Sequence, residues 1–271
     1  MRDERHMSFK ARLENVPSAC EFVVQAAEAA NLDERSIYHS QLAVDEACTN
    51  IIEHGFTDHD RQHGQIHLVT GVEEDQTFVI VIEDNSAAFN PLAYSKEPNP
   101  TDSLEEREGG GWGIYFIKKL MDSIDYRFSD GKNLLTLRKY INQDASKSAH
   151  EQEEGITVTR EFLDKGYVQL NLIGQIDSHT SAQFESALNE DLTKYGHYRL
   201  VLSFADVTYI SSSGLKVLVS AWRRAREHEG DVLITDLQPR IREVFDMIGF
   251  DMMFKIYNSP ADAVADDPIG R

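Results

Sequence analysis

Four glycines lie within five positions, at Gly109, Gly110, Gly111 and Gly113, directly before an apolar-striped segment. The apolar residues within Ile114–Met121 recur at the spacing of one helix face, so the sequence predicts a helix that opens at the glycines. A glycine cluster at a helix N-terminus directs free backbone N–H groups outward, where the helix dipole favours an anion. A glycine-rich loop can also be only a flexible turn, so this stretch needs a second feature to support an anion site.

The second feature is the segment Ser36–His54, whose apolar residues predict an amphipathic helix with Gly55 as its terminator. Glu46 and Asn50 are four residues apart, so both project from one helix face. A carboxylate and a carboxamide oxygen suit hydrated Mg²⁺, for which phosphates supply further ligands. The carboxylate could instead accept a proton from an attacking hydroxyl. The alternative is an ordinary solvated pair on an exposed helix face.

Between these segments, Thr77–Asp84 is a run of β-branched and aromatic residues that predicts a buried strand. Its last residue, Asp84, could accept a hydrogen bond from an adenine amino group if it faces a pocket. The alternative is an aspartate that only starts a turn.

Taken in order, these segments resemble the three nucleotide-binding boxes of the GHKL ATPases, most closely the anti-sigma-factor serine kinases of bacterial partner-switching systems. The resemblance covers about residues 8–140, and the order of three boxes is more specific than any one of them. The residues that carry it are Glu46-Ala-Cys-Thr-Asn50, Asp84 with Phe89-Asn-Pro91, and Gly110-Gly-Trp-Gly113 with Leu120-Met-Asp122.

The resemblance implies a role for each of these positions. Glu46 would be the general base, Asn50 would hold Mg²⁺ and Asp84 would bind the adenine of ATP. The glycine loop Gly109–Gly113 and its lid would cover the phosphates, and Arg107 is the candidate phosphate-binding cation of that lid.

The first glycine box departs from the family pattern. Ser86 stands where the family has glycine, and Ala88 stands where it has proline. If position 86 requires a positive φ or a close backbone approach to the purine, a serine there costs about 1 kcal/mol or more, and adenine binding would be weaker.

The second half of the chain has a different pattern. Residues 142–155 are polar and aperiodic, which predicts a linker. Beyond them, strands alternate with helices, which favours an α/β domain with helices packed on a mixed sheet. The predicted elements are a strand at Tyr167–Ile173, a helix from about Thr180 to Tyr195, a strand at Arg199–Phe204, a long helix after a serine turn and closed by Gly230, a strand at Asp231–Thr235, a helix at Pro239–Ile248 and a strand near Phe254–Tyr257.

Three serines precede the long helix, within Tyr209-Ile-Ser-Ser-Ser-Gly-Leu215. Serines at this place are expected as helix N-caps. A phosphate on one of them would also meet free N–H groups and a favourable helix dipole, which suits a reversible switch.

This half resembles the STAS domains of anti-sigma-factor antagonists over about residues 156–266. The residues that carry the resemblance are Gly174-Gln-Ile-Asp177, Asp206-Val-Thr-Tyr-Ile210 and Ser212-Ser-Gly-Leu215. It implies that Ser212 is the phospho-acceptor, with Ser213 as the alternative because Ser211 replaces the family's aspartate. Asp177 and Asp206 are expected to shape turns near this switch.

Composition limits the partners of the chain. A formal net charge of −19 disfavours nucleic-acid binding, which requires clustered Lys and Arg. The two cysteines have no metal-like spacing and indicate a reducing compartment, with Cys48 expected in the core. The N-terminus leads into no apolar signal-peptide region, and no run approaches the length of a membrane span, so we expect a cytoplasmic protein without a membrane interaction.

The fold prediction is an α+β sandwich of the GHKL ATPase kind at 8–141, a polar linker at 142–155, and an α/β STAS domain at 156–266. The functional hypothesis is an ATP- and Mg²⁺-dependent serine protein kinase fused to the domain type that such kinases phosphorylate, acting in partner switching. The phosphorylated serine could be Ser212 of the same chain, Ser212 of a dimer partner, or a serine of a separate STAS antagonist. The family implies a sigma factor or another regulator as target, a PP2C-type phosphatase and a homodimer.

Two alternatives stay open. A non-catalytic scaffold with a decayed nucleotide site would bind partners through its STAS half and be phosphorylated by another kinase. An ATP hydrolase unrelated to signalling is disfavoured, because the serine-bearing second domain would have no role in it.

Overall fold

The computed structural model describes residues 1–57, 61–74, 76–93, 112–141 and 155–266. The described residues fall into two compact units, the first built from residues up to 93 and from 112–141, the second from 155–266. No helix in the described ranges is both long and apolar enough to cross a membrane.

The first unit contains five strands and three α-helices among its described residues. The strands are β1 (Arg2–Lys10), β2 (Gln65–Val72), β3 (Thr77–Asp84), β4 (Ser123–Ser129) and β5 (Lys132–Tyr140). The helices are α1 (Val16–Ala29), α2 (Glu34–Asn50) and α3 (Trp112–Leu120), with a π-helical turn at Ile51–Gly55 and short 3₁₀ turns at Leu13–Asn15, Arg61–His63 and Pro91–Ala93.

The strands form one antiparallel sheet in the order β1-β2-β3-β5-β4. Every second residue of the central strands points to the helices, which follows from the alternation of side chains along a strand. The core that results joins Leu68 of β2, Ile80 of β3 and Leu137 of β5 to Val23 of α1 and Cys48 of α2. The predicted strand Thr77–Asp84 and the predicted core position of Cys48 are confirmed.

Two details of this unit differ from the sequence-based expectation. Strand β1 begins at Arg2, well before residue 8. The sequence pattern did not indicate it, because it is an edge strand whose mostly exposed residues show no alternation of apolar and polar side chains. Gly55 does not end α2 in the left-handed conformation. The φ of Gly55 is not positive. The α-helical part of the segment ends at Asn50, and a π-helical turn follows it from Ile51 to Gly55.

The second unit contains five strands and four α-helices among its described residues. The strands are β6 (Ile156–Phe162), β7 (Val168–Ile176), β8 (Arg199–Ile210), β9 (Asp231–Thr235) and β10 (Ile256–Tyr257). The helices are α4 (Ser181–Asn189), α5 (Ser212–Glu227), α6 (Pro239–Met247) and α7 (Pro260–Asp266), with a π-helical turn at Glu190–Tyr195 and 3₁₀ turns at Asp164–Gly166 and Phe250–Met252.

Its sheet is mixed, in the order β10-β9-β8-β7-β6, with β7 to β10 parallel and β6 antiparallel at one edge. The prediction of helices packed on a mixed sheet is confirmed. Strand β8 is longer than predicted, since it continues past Phe204 to Ile210 with two irregularities in its pairing to β7. The chain therefore passes from β8 into α5 through Ser211 alone.

Gly230 follows α5 and takes part in its end, as predicted, because its N–H donates to the oxygen of Ala225 at 2.8 Å. The residue with a left-handed backbone is Glu229, at φ 57°. A Cβ on Gly230 would lie 1.9 Å from the backbone oxygen of Tyr198, so the position requires glycine for space.

Candidate functional site

Helix α2 carries two of the predicted site residues. Its first turn is capped by Asp33, whose side chain accepts a hydrogen bond from the backbone N–H of Ser36 at 2.8 Å. Near its other end, Glu46 is buried, with 3% of its surface exposed, and Asn50 is half-buried. The pair therefore lies at the wall of the unit rather than on an open helix face, which disfavours the interpretation as an ordinary solvated pair.

The first turn of α3 lies directly against this pair. A Cβ placed on Gly113 would be 2.4 Å from Oε2 of Glu46 and 3.1 Å from Nδ2 of Asn50. Only a residue without a side chain allows the backbone to come this close. The end of the glycine-rich segment and the Glu46/Asn50 pair are thus brought together. Gly109, Gly110, Gly111 and Arg107, which the sequence also assigns to the site, lie outside the described residues.

Asp84 ends β3 and is held in place by two donors. Its Oδ1 accepts hydrogen bonds from the backbone N–H of Ser86 at 2.8 Å and from Nδ2 of Asn133 at 3.0 Å. The carboxylate is 4% exposed, so its orientation is set by these contacts. Oδ2 is the oxygen that can accept from a further group.

Asn133 is a site residue that the sequence analysis did not identify. It is Asp84's direct partner across β3 and β5, and its Oδ1 accepts from the hydroxyl of Tyr126 at 2.6 Å. Its Nδ2 also donates to the backbone oxygens of Ser86 and Ala87. Asn133 lies on the same buried face of β5 as Leu135 and Leu137. A polar residue in such an apolar alternation is a signal that a sequence analysis can use. Recognising it requires the strand register, which the sequence does not supply.

The serine that replaces a glycine in the first glycine box is accommodated without backbone strain. Ser86 does not have a positive φ, so the part of the predicted penalty that depends on a left-handed backbone does not apply. The space for its hydroxyl comes from Gly55, where a Cβ would lie 2.7 Å from Ser86 Oγ. The backbone N–H of Ala87 donates to the oxygen of Gly55 at 3.3 Å, which joins the two segments.

Cys48 of α2 is a fully buried cysteine two residues from Glu46. Burial raises the pKa of its thiol well above the ordinary range, and the carboxylates of Asp45 and Asp84 raise it further. A fully buried, protonated thiol is neither a nucleophile nor a metal ligand.

In the second unit, the three consecutive serines form the start of α5, with Ser211 directly before the helix and Ser212 and Ser213 as its first residues. The N–H of Ser211 donates to the oxygen of Ile176 at 2.8 Å, and its buried Oγ has no hydrogen-bond partner, so this side chain does not cap the helix. Ser212 is 4% exposed, whereas Ser213 is partly exposed. A Cβ on Gly214 would lie 2.5 Å from a side-chain carbon of Ile176, so the first turn packs closely on the end of β7.

The two aspartates expected near the serines have different surroundings. Asp177 Oδ1 accepts from the backbone N–H groups of His179 and Thr180 at 2.9 and 2.7 Å, and so shapes the turn before α4. Asp206 is exposed within β8 and pairs with Ile173 of β7.

The resemblance to serine kinases implies phosphoryl transfer by the first unit. On that expectation, Gly113→Ala should affect phosphoryl transfer more than folding, because the new methyl group must displace the Glu46 carboxylate. The initial rate of transfer from labelled ATP should fall about 100-fold, as for a catalytic group misplaced by about 1 Å. Gly131→Ala is the control. Gly131 has a φ of +76°, and no described atom lies within 4 Å of a Cβ added to it. The Gly131→Ala variant should therefore lose about 1 kcal/mol of stability without a comparable loss of rate. Equal losses of rate in both variants would contradict this role of Gly113.

Comparison with known protein families agrees with the two units. Residues 9–139 match the histidine kinase-like ATPase domain, and residues 162–263 match the STAS domain. The chain is 35% identical over 94 residues to a protein named as an anti-sigma factor antagonist, BtrV of Bordetella bronchiseptica, covering 35% of this chain and 80% of that protein. It is 33% identical over 107 residues to the serine-protein kinase RsbW of Bacillus mycoides, covering 38% of this chain and 64% of the kinase.

The chain thus spans slightly less than two thirds of that kinase relative's length. A crystal structure of an anti-sigma factor antagonist from Mycobacterium paratuberculosis is 25% identical, with a TM-score of 0.38, and covers 41% of this chain and 92% of that one. With this TM-score, the structural similarity does not support a family assignment. The antagonist relative, which is covered over most of its length, and the two domain matches lead to one assignment. The chain belongs to the STAS family of anti-sigma-factor antagonists and carries, ahead of its STAS domain, a histidine kinase-like ATPase domain.

Proposed function

We propose that the first unit is an ATP- and Mg²⁺-dependent serine protein kinase and that the STAS unit carries its phosphorylation switch. The observation that carries the proposal is the contact of Gly113 with Glu46 and Asn50, because it sets a helix N-terminus against a carboxylate and a carboxamide. Phosphoryl transfer needs little covalent chemistry from a protein, and depends on positioning and charge neutralisation. The arrangement fits that requirement.

Each site residue has a proposed task. Glu46 accepts the proton of the incoming serine hydroxyl, and its burial keeps competing water away. Asn50 contributes its amide oxygen to Mg²⁺, a hard cation that is usually held by one or two protein oxygens and by substrate phosphates. When bound, the ion neutralises charge on the phosphates.

Asp84 is proposed to accept a hydrogen bond from the adenine amino group through Oδ2. Asn133 and the backbone N–H of Ser86 hold Oδ1, so the carboxylate does not need to reorient when the nucleotide binds. Asn133 is therefore a positioning residue. The glycines 109–111 and Arg107 are proposed to cover the phosphates, as the family resemblance implies.

In the STAS unit we propose Ser212 as the phospho-acceptor. A phosphate there would carry negative charge at the start of α5, where the helix dipole favours an anion. Because Ser212 is buried, the modification must move the α5 N-terminus away from the end of β7, which would change the surface presented to a partner. The partner is proposed to be a sigma factor or another regulator, with a PP2C-type phosphatase resetting the switch. The domain limits proposed for these roles are 8–141 and 156–266.

Mass spectrometry of the chain after incubation with Mg·ATP should place most phosphate on Ser212. Ser212→Ala should remove it, and Ser213→Ala should leave it in place. Since Ser213 is the more exposed of the two, phosphate that persists in Ser212→Ala and is lost in Ser213→Ala would transfer the assignment to Ser213. Phosphate that persists in the double variant would refute a switch at this turn.

A second candidate is a non-catalytic scaffold whose STAS domain is phosphorylated by another kinase. The observation in its favour is the Ser86 hydroxyl beside Gly55 and Asn133, at a position where the family has a glycine. The two functions differ in nucleotide binding. A site that binds Mg·ATP stabilises the folded unit by about 2.7 kcal/mol at a ligand concentration 100 times Kd, which raises Tm by several degrees. An unchanged Tm at millimolar Mg·ATP would favour the scaffold.

A further inference from the structure

Two histidines meet on the surface of the first unit, away from the residues proposed for phosphoryl transfer. Nδ1 of His6 on β1 lies 3.5 Å from Nε2 of His67 on β2, and the two ring centroids are 5.6 Å apart. The strand register explains the meeting. Ser8 pairs directly with His67, and residues two apart on a strand share a face, so His6 lies on that face too.

The outer nitrogen of His6 is held by a carboxylate. Glu4 Oε1 lies 2.9 Å from His6 Nε2. A carboxylate only accepts hydrogen bonds, so Nε2 carries the proton and Nδ1 of the neutral ring directs its lone pair at His67. Glu4 reaches this position at an irregularity in the β1–β2 register between Arg2 and Arg5, a local distortion of the kind that redirects side chains.

The outer nitrogen of His67 is held as well. Ser8 Oγ lies 2.6 Å from His67 Nδ1. The hydroxyl can donate to this nitrogen or accept from it, and when it accepts, Nε2 of His67 also directs a lone pair at His6. Each inner nitrogen can therefore act as a ligand while its ring is oriented by the other one, which is the usual arrangement of metal-binding histidines.

The separation of the inner nitrogens suits a shared cation better than a hydrogen bond. Hydrogen bonds that involve N–H donors span about 2.7–3.2 Å, shorter than the 3.5 Å found here. Two imidazole nitrogens bound to one tetrahedral zinc at about 2.0–2.1 Å are about 3.3–3.4 Å apart. Because the two lone pairs face each other here, both exposed rings must also turn so that the lone pairs converge on one ion.

From these contacts we propose that His6 and His67 form a binding site for a divalent transition-metal ion of the Zn²⁺ and Cu²⁺ class, with water completing its coordination. Glu4 and Ser8 act as positioning residues. Glu83 is the direct partner of His67 on β3, but its carboxylate accepts from Lys132 Nζ at 2.6 Å and so is engaged elsewhere. With two protein ligands we expect micromolar affinity. Imidazole ligands select against Mg²⁺, which prefers oxygen.

Calorimetry on the tag-free full chain tests the site, with ZnCl₂ as titrant and millimolar Mg²⁺ present to saturate oxygen-donor sites. We expect one equivalent of Zn²⁺ to bind, and Cu²⁺ to bind more tightly, as the general order of divalent affinities requires. His6→Gln and His67→Gln should each lower the affinity at least 10-fold. Ser8→Ala should lower it about 10-fold through loss of ring orientation.

His179→Gln is the matched control, because His179 is an exposed histidine of the second unit and should not affect the titration. Circular dichroism verifies that all variants remain folded, which their surface positions favour. Absence of zinc binding to the unaltered chain overturns the proposal. Retention of full affinity in either His6→Gln or His67→Gln overturns it too, since a bridged ion needs both rings.

Discussion

Replacing Glu46 by glutamine should abolish serine phosphorylation while nucleotide binding persists. Glutamine keeps the size of the side chain and can keep its contact with Gly113, but it cannot accept the proton of the attacking hydroxyl. Loss of a positioned general base costs about 10²- to 10⁴-fold in rate. We therefore expect the rate of phosphoryl transfer from labelled ATP to fall by this factor, with the affinity for Mg·ATP, measured by calorimetry, changed only a few-fold.

The matched control is Glu53→Gln. Glu53 follows the same helix, in the π-helical turn, but it is exposed and forms a 3.8 Å ion pair with His54. It should therefore leave the rate unchanged. If Glu46→Gln retained the rate within about 3-fold, a difference of less than 1 kcal/mol, the general-base assignment would be wrong. If it lost nucleotide binding as well, Glu46 would be acting in binding instead.

The largest effect on stability should come from Gly230→Ala. The added Cβ would lie 1.9 Å from the backbone oxygen of Tyr198 and 2.5 Å from its carbonyl carbon. These are backbone atoms, and that same oxygen accepts the hydrogen bond from the N–H of Asp231 at 2.9 Å, so neither side can yield without disturbing the entry to β9. We expect a loss of about 3 kcal/mol or more in the free energy of unfolding of the STAS unit.

Urea denaturation in a Trp112→Phe background measures this loss, because Trp222 of α5 is then the only tryptophan of the chain. Gly166→Ala separates crowding from backbone strain, since Gly166 has a φ of +77° with no atom within 4 Å of the added Cβ. It should cost about 1 kcal/mol. A loss for Gly230→Ala no greater than that of Gly166→Ala would show that the backbone adapts.

Sequence reasoning succeeded where a local pattern is sufficient. The β-branched run at Thr77–Asp84 predicted β3 to the residue, and Asp231–Thr235 predicted β9 in the same way. β9 is buried at every position and β3 at all but Val81 and Glu83, so their composition is nearly continuous in apolar residues. Strand β1 was missed because an exposed edge strand has no such constraint. The end of β8 was misplaced because Ala205 and Asp206, which interrupt its apolar run, are exposed.

The site residues show the same difference between local patterns and contacts of distant segments. Helical spacing places Glu46 and Asn50 on one face of α2, and the resemblance to the GHKL ATPases is what made this pair a predicted site. Asn133 was missed because its importance arises from pairing with Asp84 across two strands that are distant in sequence. The significance of Gly55 was assigned to backbone conformation, whereas the structure shows that it makes room for Ser86.

The order of residues along the chain was by itself enough to predict the two domain types, through the order of their motifs, and the face shared by Glu46 and Asn50 together with most of the buried periodic elements, through spacing within short segments. Only the tertiary structure decided which distant segments touch: Gly113 against Glu46, Asn133 against Asp84 and His6 against His67. Those contacts depend on strand register and on the close approach of backbones, and both are set by packing across the whole unit.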